Sequence, residues 1–185
     1  MNDKLKEEIR KTLGILKNGG VILYPTDTIW GLGCDATNPE AVKRIYDIKK
    51  RADNKSMLVL LDDAGKIASY ADVPDIALAD KPTTIIYPGA KRLAPNLIAE
   101  DGTIGIRITR EEFTRSLIFR YNKPIVSTSA NISGEPSPHF FGEISEEIKN
   151  AVDYIVDYRR NDHNPAAPSS IIKLGMGGEI QIIRK

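Results

Sequence analysis

The sequence predicts a single α/β domain built around one twisted sheet of parallel and antiparallel strands, with helices beside it. Short apolar runs, typical of buried strands, alternate along the chain with segments of helical periodicity. Several apolar runs follow one another closely, which favours hairpins in the same sheet over a purely doubly wound arrangement. The chain has 185 residues, enough for one hydrophobic core, and we expect residues 1–185 to form one domain.

The helices are predicted from apolar residues repeated at helical spacing. The first, over 3–17, carries its leucines and one isoleucine on one face and ends at a pair of glycines. The second begins at Pro39 with Asn38 as its N-cap, a combination that favours helix initiation. Further helical segments, the first divided near Pro74, are predicted over 62–80, 111–120 and 144–151.

The strands are predicted from apolar runs and from alternation of side chains. One strand is predicted from alternation alone: it places three isoleucines on one face and Thr103, Gly105 and Arg107 on the other. A closing hairpin, with glycines in its turn, is predicted over 169–174 and 180–184. The apolar runs predict strands over 21–24, 57–61, 83–87, 125–129 and 154–158.

Composition and charge exclude several classes of protein. Lysine and arginine total 26 against 25 acidic residues, so the net charge of +1 gives no overall basic field for nucleic acid. Cys34 is the one cysteine, and with His139 and His163 it lacks the spacing of a zinc site. The charged start and the lack of a long apolar run predict a cytoplasmic protein with no signal peptide or membrane span.

Two clusters in the first third of the chain could carry a function. Residues 24–28 place two threonines and an aspartate after a buried strand, where they could face a cleft or simply form a hydrogen-bonded turn. Residues 43–55 hold six cations against two acids, which could bind phosphates or could be a solvated helix end. The pattern GxGxxA at 31–36 does not sit directly between a strand and a helix, so it is a poor dinucleotide site.

Two further candidates lie on later strands. Arg107 stands in the middle of an alternating strand, where its planar guanidinium suits a carboxylate or phosphate ligand, or an internal salt bridge. Residues 127–134 are rich in small hydroxyl side chains, which could donate to a phosphate or ribose, or could stabilise a turn. The two histidines lie in proline-containing loops and are expected at the surface.

Four segments, taken in order, closely resemble motifs of the threonylcarbamoyl-adenylate synthase family, which has the YrdC-like domain. The resemblance implies a YrdC-like fold in its short, single-domain form. It also implies a nucleotidyltransferase that converts threonine, bicarbonate or CO2, and ATP into threonylcarbamoyl-AMP and pyrophosphate. The product would serve the threonylcarbamoyl modification of the tRNA adenosine beside the anticodon. The segments are YPTDTIWGLGCDA at 24–36, IKKR at 48–51, TIGIR at 103–107 and STSANISGEPS at 127–137.

The resemblance further implies which residues form the site. Lys49 and Arg51 would be catalytic, and Arg107 would bind the carboxylate of threonine. Mg²⁺ is expected with ATP, held mainly by phosphate oxygens and water rather than by protein ligands. The ATP-binding residues would be Lys49, Arg51, Lys55, Thr103, Ser129, Asn131, Ser137 and Arg184. The threonine-binding residues would be Thr28, Leu60, Arg107, Ser127 and Ser169.

Two other interpretations of the same fold stay open. One is a non-catalytic module that binds tRNA or double-stranded RNA, for which the cations at 43–55 would be the contact surface. The other is the carbamoyl-adenylate-forming domain of hydrogenase maturation proteins, which normally accompanies zinc-finger-like cysteines that this sequence lacks. For the synthase, the partners would include the proteins that transfer the threonylcarbamoyl group to tRNA.

Overall fold

The computed structural model describes residues 2–51, 57–73, 82–175 and 177–185. These residues form helices α1 (Asp3–Lys17), α2 (Pro39–Ile48), α3 (Glu112–Tyr121) and α4 (Glu146–Ala151). Short 3-10 helices lie at Ala64–Ser69, Pro95–Leu97 and Phe141–Glu143. The strands are β1 (Ile22–Tyr24), β2 (Gly31–Gly33), β3 (Leu58–Leu61), β4 (Thr83–Tyr87), β5 (Ile104–Ile108), β6 (Ile125–Ser129), β7 (Tyr154–Ile155), β8 (Ser170–Leu174) and β9 (Ile180–Arg184).

The strands form one mixed sheet in the order β7-β1-β2-β6-β3-β5-β4-β8-β9. The pairs β1/β7, β3/β5 and β4/β8 are parallel. The pairs β1/β2, β2/β6, β3/β6, β4/β5 and β8/β9 are antiparallel. The predicted fold class, an α/β domain with a mixed sheet, is therefore confirmed.

Apolar side chains on both faces of the sheet explain why the strands read as unbroken apolar runs. On one face, side chains of β1 such as Tyr24 pack with Leu16 of α1 and Phe113 of α3. On the other face, Leu23 packs with Ile45 of α2. Consecutive residues of a strand point to opposite faces, so a strand covered by helices on both sides needs apolar residues at every position.

The ends of the first two helices follow from local sequence. The side chain of Asn2 accepts a hydrogen bond from the amide of Leu5, and α1 ends just before Gly19, whose φ is 73°. Asn38 caps α2 in the same way, accepting from the amide of Ala41 at 3.2 Å, as predicted. The two N-cap hydrogen bonds satisfy backbone amides that the start of a helix leaves without an intrahelical partner. The positive φ of Gly19 turns the chain away from the helix axis.

The structure corrects several element boundaries. The predicted helix over 62–80 is a 3-10 helix at Ala64–Ser69, and its second piece lies at 74–80, outside the described residues. Helix α4 begins at Glu146 rather than at 144, because Ser145 caps it by accepting from the amide of Ile148. Strand β2 has no counterpart in the sequence prediction. No helix in the described part of the chain is long and apolar enough to cross a membrane.

Candidate functional site

A cavity of about 250 Å³ gathers side chains from distant parts of the chain. It lies against β2, β5 and β6, and the start of β8 and the end of β9 close one side. The other lining residues are Ile29, Trp30, Gly31, Met57, Leu58, Thr128, Pro168 and Ile171. Eight of the predicted site residues line it: Thr28, Arg51, Arg107, Ser127, Ser129, Ser137, Ser169 and Arg184.

A second cavity of about 550 Å³ adjoins the first and shares Met57, Leu58 and Ile171 with it. Thr103 lines this second cavity, and its hydroxyl donates to Asp101 at 2.6 Å. Of the predicted ATP-binding residues in the described part of the chain, Thr103 is thus on the neighbouring surface rather than in the first cavity.

Arg107 is both a cavity residue and a member of a buried ion pair. Its side chain is 3% exposed, and one terminal nitrogen, Nη2, lies 3.2 Å from Oδ1 of Asp27. Both carboxylate oxygens of Asp27, and Nε and Nη2 of Arg107, are buried without a hydrogen-bond partner. The predicted internal salt bridge of Arg107 is present, and the side chain also lines the cavity, where contact with a ligand stays a prediction.

Lys49 is buried beneath the turn that follows β6. Its residue is 2% exposed, and its ammonium donates to the carbonyl oxygens of Ser129 at 2.6 Å and Asn131 at 2.7 Å. Burial, followed by the charge of Arg51, lowers the pKa of Lys49 to about 8. The interpretation as a solvated helix end is wrong for Lys49, and its side chain does not line the first cavity.

The backbone conformation of Lys50 explains how Arg51 reaches the cavity. It adopts a left-handed conformation with φ of 51°, which ends α2, and its ammonium pairs with Glu147 at 2.7 Å at the surface. Arg51 then turns back, its amide donating to the carbonyl of Tyr46, and its side chain lines the cavity. Burial lowers the pKa of Arg51.

The cations proposed as an RNA surface are largely matched by acids. Lys43 pairs with Asp47 at 2.8 Å within α2. Arg44 pairs with Asp153, and Lys50 pairs with Glu147 as described above. Lys55, the last cation of that cluster, lies outside the described residues. The described part of the cluster is therefore not an open cationic surface.

The hydroxyl groups divide between structure and cavity. Thr26 forms the predicted turn, because its hydroxyl donates to the carbonyl of Ile29 and accepts from the amide of Thr28. Thr28 itself lines the cavity. The hydroxyl of Ser169 lies 2.8 Å from that of Thr84, and its carbonyl accepts from Nε and Nη2 of Arg184 at 2.9 and 2.7 Å.

Leu60 and Asn131 do not line the first cavity. Leu60 is fully buried in the core on the α1 and α3 side of the sheet, packed with residues such as Phe113. The amide of Asn131 donates to the carbonyls of Ile132 at 3.1 Å and Glu135 at 2.7 Å, and so shapes the turn. A direct contact between either side chain and a substrate stays a prediction.

The sequence assigned no binding role to two residues at the site. Asp27 is the acid that faces Arg107, and its place between two threonines of the first cluster was the available signal. Trp30 lines the cavity and packs at a tilt on Phe141, with ring centroids 4.9 Å apart. The histidines are exposed as predicted, and the described residues hold no group of three or more side chains suited to a metal ion.

A known protein family and several of its members resemble this chain in sequence. The family model Sua5_yciO_yrdC, described as "Telomere recombination", matches residues 14–185. The chain belongs to the Sua5/YciO/YrdC family. A protein of Methanocaldococcus jannaschii is 38% identical over 179 residues, covering 91% of this chain and 83% of that protein. The threonylcarbamoyl-AMP synthase of Pseudoalteromonas translucida is 32% identical over 181 residues, covering 93% of this chain and 95% of the relative.

Solved structures of the Sua5/YciO/YrdC family share this fold. YciO of E. coli superposes with a TM-score of 0.84 at 24% identity, covering 97% of this chain and 89% of that chain. Sua5 of P. abyssi complexed with L-threonine superposes with a TM-score of 0.79 at 26% identity, covering 90% of this chain. The present chain spans 50% of the length of that Sua5 chain. The predicted YrdC-like fold and family resemblance are confirmed.

Proposed function

We propose that the protein is a threonylcarbamoyl-AMP synthase, which joins threonine, bicarbonate or CO2, and ATP, and releases pyrophosphate. The observation that carries the proposal is a polar cavity lined by three guanidinium groups, of which Arg107 is buried with donors unsatisfied. A cavity of this kind favours a ligand with several anionic groups. Relatives that match most of this chain, such as the protein of Pseudoalteromonas translucida, bear the name threonylcarbamoyl-AMP synthase.

The proposed chemistry needs orientation and charge stabilisation more than a protein nucleophile. The threonine amine first combines with bicarbonate to give a carbamate, with loss of water. A carbamate oxygen then attacks the α-phosphorus of ATP, and pyrophosphate leaves. In this scheme Arg107 holds the threonine carboxylate, while Arg51 and Arg184 offset the charge of the phosphates. The hydroxyls of Thr28, Ser127 and the other cavity serines donate to substrate oxygens.

The two adjoining cavities suggest how the substrates divide. The first, of about 250 Å³, suits threonine with the reacting phosphate. The second, of about 550 Å³, has space for the nucleoside and presents Thr103. Gly105 lies on its surface, where a Cβ would approach Thr84 to 3.2 Å, so a larger residue there would narrow the space. Mg²⁺ would neutralise phosphate charge, bound through ATP oxygens and water rather than a dedicated ligand set.

A pyrophosphate-release assay tests the proposal. Release should require threonine, bicarbonate and ATP together, and Arg107→Lys should weaken threonine binding because lysine keeps the charge but not the planar fork. Losing a hydrogen bond to a charged group costs about 1.5–3 kcal/mol, so the threonine dissociation constant should rise roughly ten- to a hundredfold. Arg115→Lys, on the exposed surface of α3, is the matched control. Release that persists without threonine would exclude the synthase.

The RNA-binding alternative makes a different prediction in the same preparation. It expects tRNA or double-stranded RNA to bind without threonine-dependent release of pyrophosphate. Because acids pair with Lys43 and Arg44 of α2 and with Lys50 just after it, we propose the synthase as the main function. Its product would pass to the proteins that modify tRNA, in the cytoplasm.

A further inference from the structure

Asp27 occupies an unusual place for an acid, since it stands against the guanidinium of a site proposed to bind anions. It lies in the turn after β1, and Arg107 lies in β5. Strands β2, β6 and β3 separate β1 from β5 in the sheet. The contact at 3.2 Å therefore joins two distant parts of the sheet at the edge of the cavity.

The geometry of this pair differs from that of a saturated salt bridge. The side chains of Arg107 and Asp27 are 3% and 9% exposed, so water does not satisfy them. An arginine and a carboxylate commonly form two parallel hydrogen bonds. Here both Asp27 oxygens, and Nε and Nη2 of Arg107, have no hydrogen-bond partner. Asp27 thus supplies a nearby negative charge and leaves the donors of Arg107 unsaturated.

The negative charge of Asp27 acts against the repulsion among the guanidinium groups of the cavity. Arg107 shares the cavity with Arg51 and Arg184, and burial together with the charge of Arg107 lowers the pKa of Arg184. Three guanidinium groups around about 250 Å³ repel one another. A fixed carboxylate against Arg107 offsets this repulsion and favours one orientation of its side chain.

We propose that Asp27 is a positioning residue, which holds the guanidinium of Arg107 in the orientation that receives the carboxylate of threonine. The inference rests on the proposed function. Asp27 acts through Arg107 rather than on substrate, because it is not among the cavity-lining residues and both its oxygens are buried. Its removal should therefore affect recognition of the carboxylate and leave the other parts of threonine unaffected.

Asp27→Asn keeps the size of the side chain and removes its charge, and substrate analogues report which group it serves. We compare threonine with threonine amide, which lacks the carboxylate, and with 2,3-dihydroxybutanoate, which lacks the ammonium. In the variant, the KM for threonine should rise about tenfold, as expected for coupled neighbouring residues, with kcat nearly unchanged. Selectivity for threonine over the amide should fall by the same factor. Selectivity over the hydroxy acid, measured as competitive inhibition, should be unchanged.

A double-mutant cycle with Arg107→Lys completes the test. If Asp27 acts through Arg107, the two substitutions together should raise the KM for threonine by less than the product of their separate effects. Asp27→Glu keeps the negative charge and should restore part of the selectivity. If Asp27→Asn does not fold, Asp27→Glu alone decides, since its displaced carboxylate should still lower selectivity over the amide.

Three results would overturn the inference. A lower melting temperature with unchanged selectivity over the amide would make Asp27 merely structural. A loss of selectivity over the hydroxy acid instead would show that Asp27 serves the ammonium. Wild-type protein that releases pyrophosphate without threonine would overturn the proposed function itself, and this result differs from the other two because it needs no variant.

Discussion

Replacing Lys49 by methionine should change how the stability of the protein depends on pH. Burial lowers the pKa of Lys49 from its ordinary value of 10.5 to about 8. Between about pH 8 and pH 10.5, Lys49 is protonated in the unfolded chain and has lost its proton in the folded chain. Stability rises with pH wherever the unfolded state binds more protons, so this residue makes the folded protein more stable as pH rises through 8.

The size of the effect follows from the shift. One pKa unit corresponds to about 1.4 kcal/mol, so Lys49 should add about 2 kcal/mol to the free energy of unfolding between about pH 7 and about pH 9.5. The methionine variant lacks this gain. Other groups titrate in both proteins alike, so the difference between the two stabilities isolates Lys49.

Urea denaturation at a series of pH values measures that difference. Lys17→Met, which removes an exposed lysine in the last turn of α1, is the matched control. The Lys49→Met variant should also bind ATP more weakly than the wild type, because the turn that carries Ser129 and Asn131 loses the ammonium that holds its carbonyl groups. A difference in stability that stays flat from about pH 7 to about pH 9.5 would refute the reasoning.

Two further predictions concern backbone conformation and close packing. Lys50→Gly should be about 1 kcal/mol more stable than Lys50→Ala in urea denaturation. Both variants lose the ion pair with Glu147, but only glycine adopts the φ of 51° without strain, and equal stabilities would contradict this. Gly33→Ala should lower stability by about 1–3 kcal/mol. Its Cβ would lie 2.5 Å from the ring of Tyr24 and 2.8 Å from the carbonyl of Val126, and an unchanged melting temperature would contradict this.

Elements with a strong repeat were predicted from the sequence almost to the residue. Helix α1 has the predicted bounds, because four apolar residues on one face and a glycine pair define it fully. Strand β2 was missed because Gly31–Gly33 holds one apolar residue between two glycines, which have low strand propensity. Gly33 is needed for a close contact between strands, because the ring of Tyr24 packs directly against it. The hydroxyl of Tyr24 then donates to the carbonyl of Val126.

The sequence pointed to eight of the residues that line the cavity, whereas the predicted Lys49, Leu60 and Asn131 do not line it. The ends of strands and the family motifs pointed to the residues that line the cavity, such as Arg107 and Ser127. The burial of Lys49 was not predictable, because a run of cations at a helix end usually lies in water. The approach of Asp27 to Arg107 was not predictable either, since the order of strands that brings them together is not encoded in local spacing.

The order of strands also determines when the site can exist during folding. Thr28 lies before β2, whereas Arg184 lies in β9, and the two face the same cavity. β4 pairs with β8 in parallel, and β2 pairs with β6, so each half of the sheet needs strands far apart in the chain. Contacts of such long range form slowly. A ligand of this cavity would therefore contact residues from both ends of the chain, and it should stabilise the folded state in which those ends have come together.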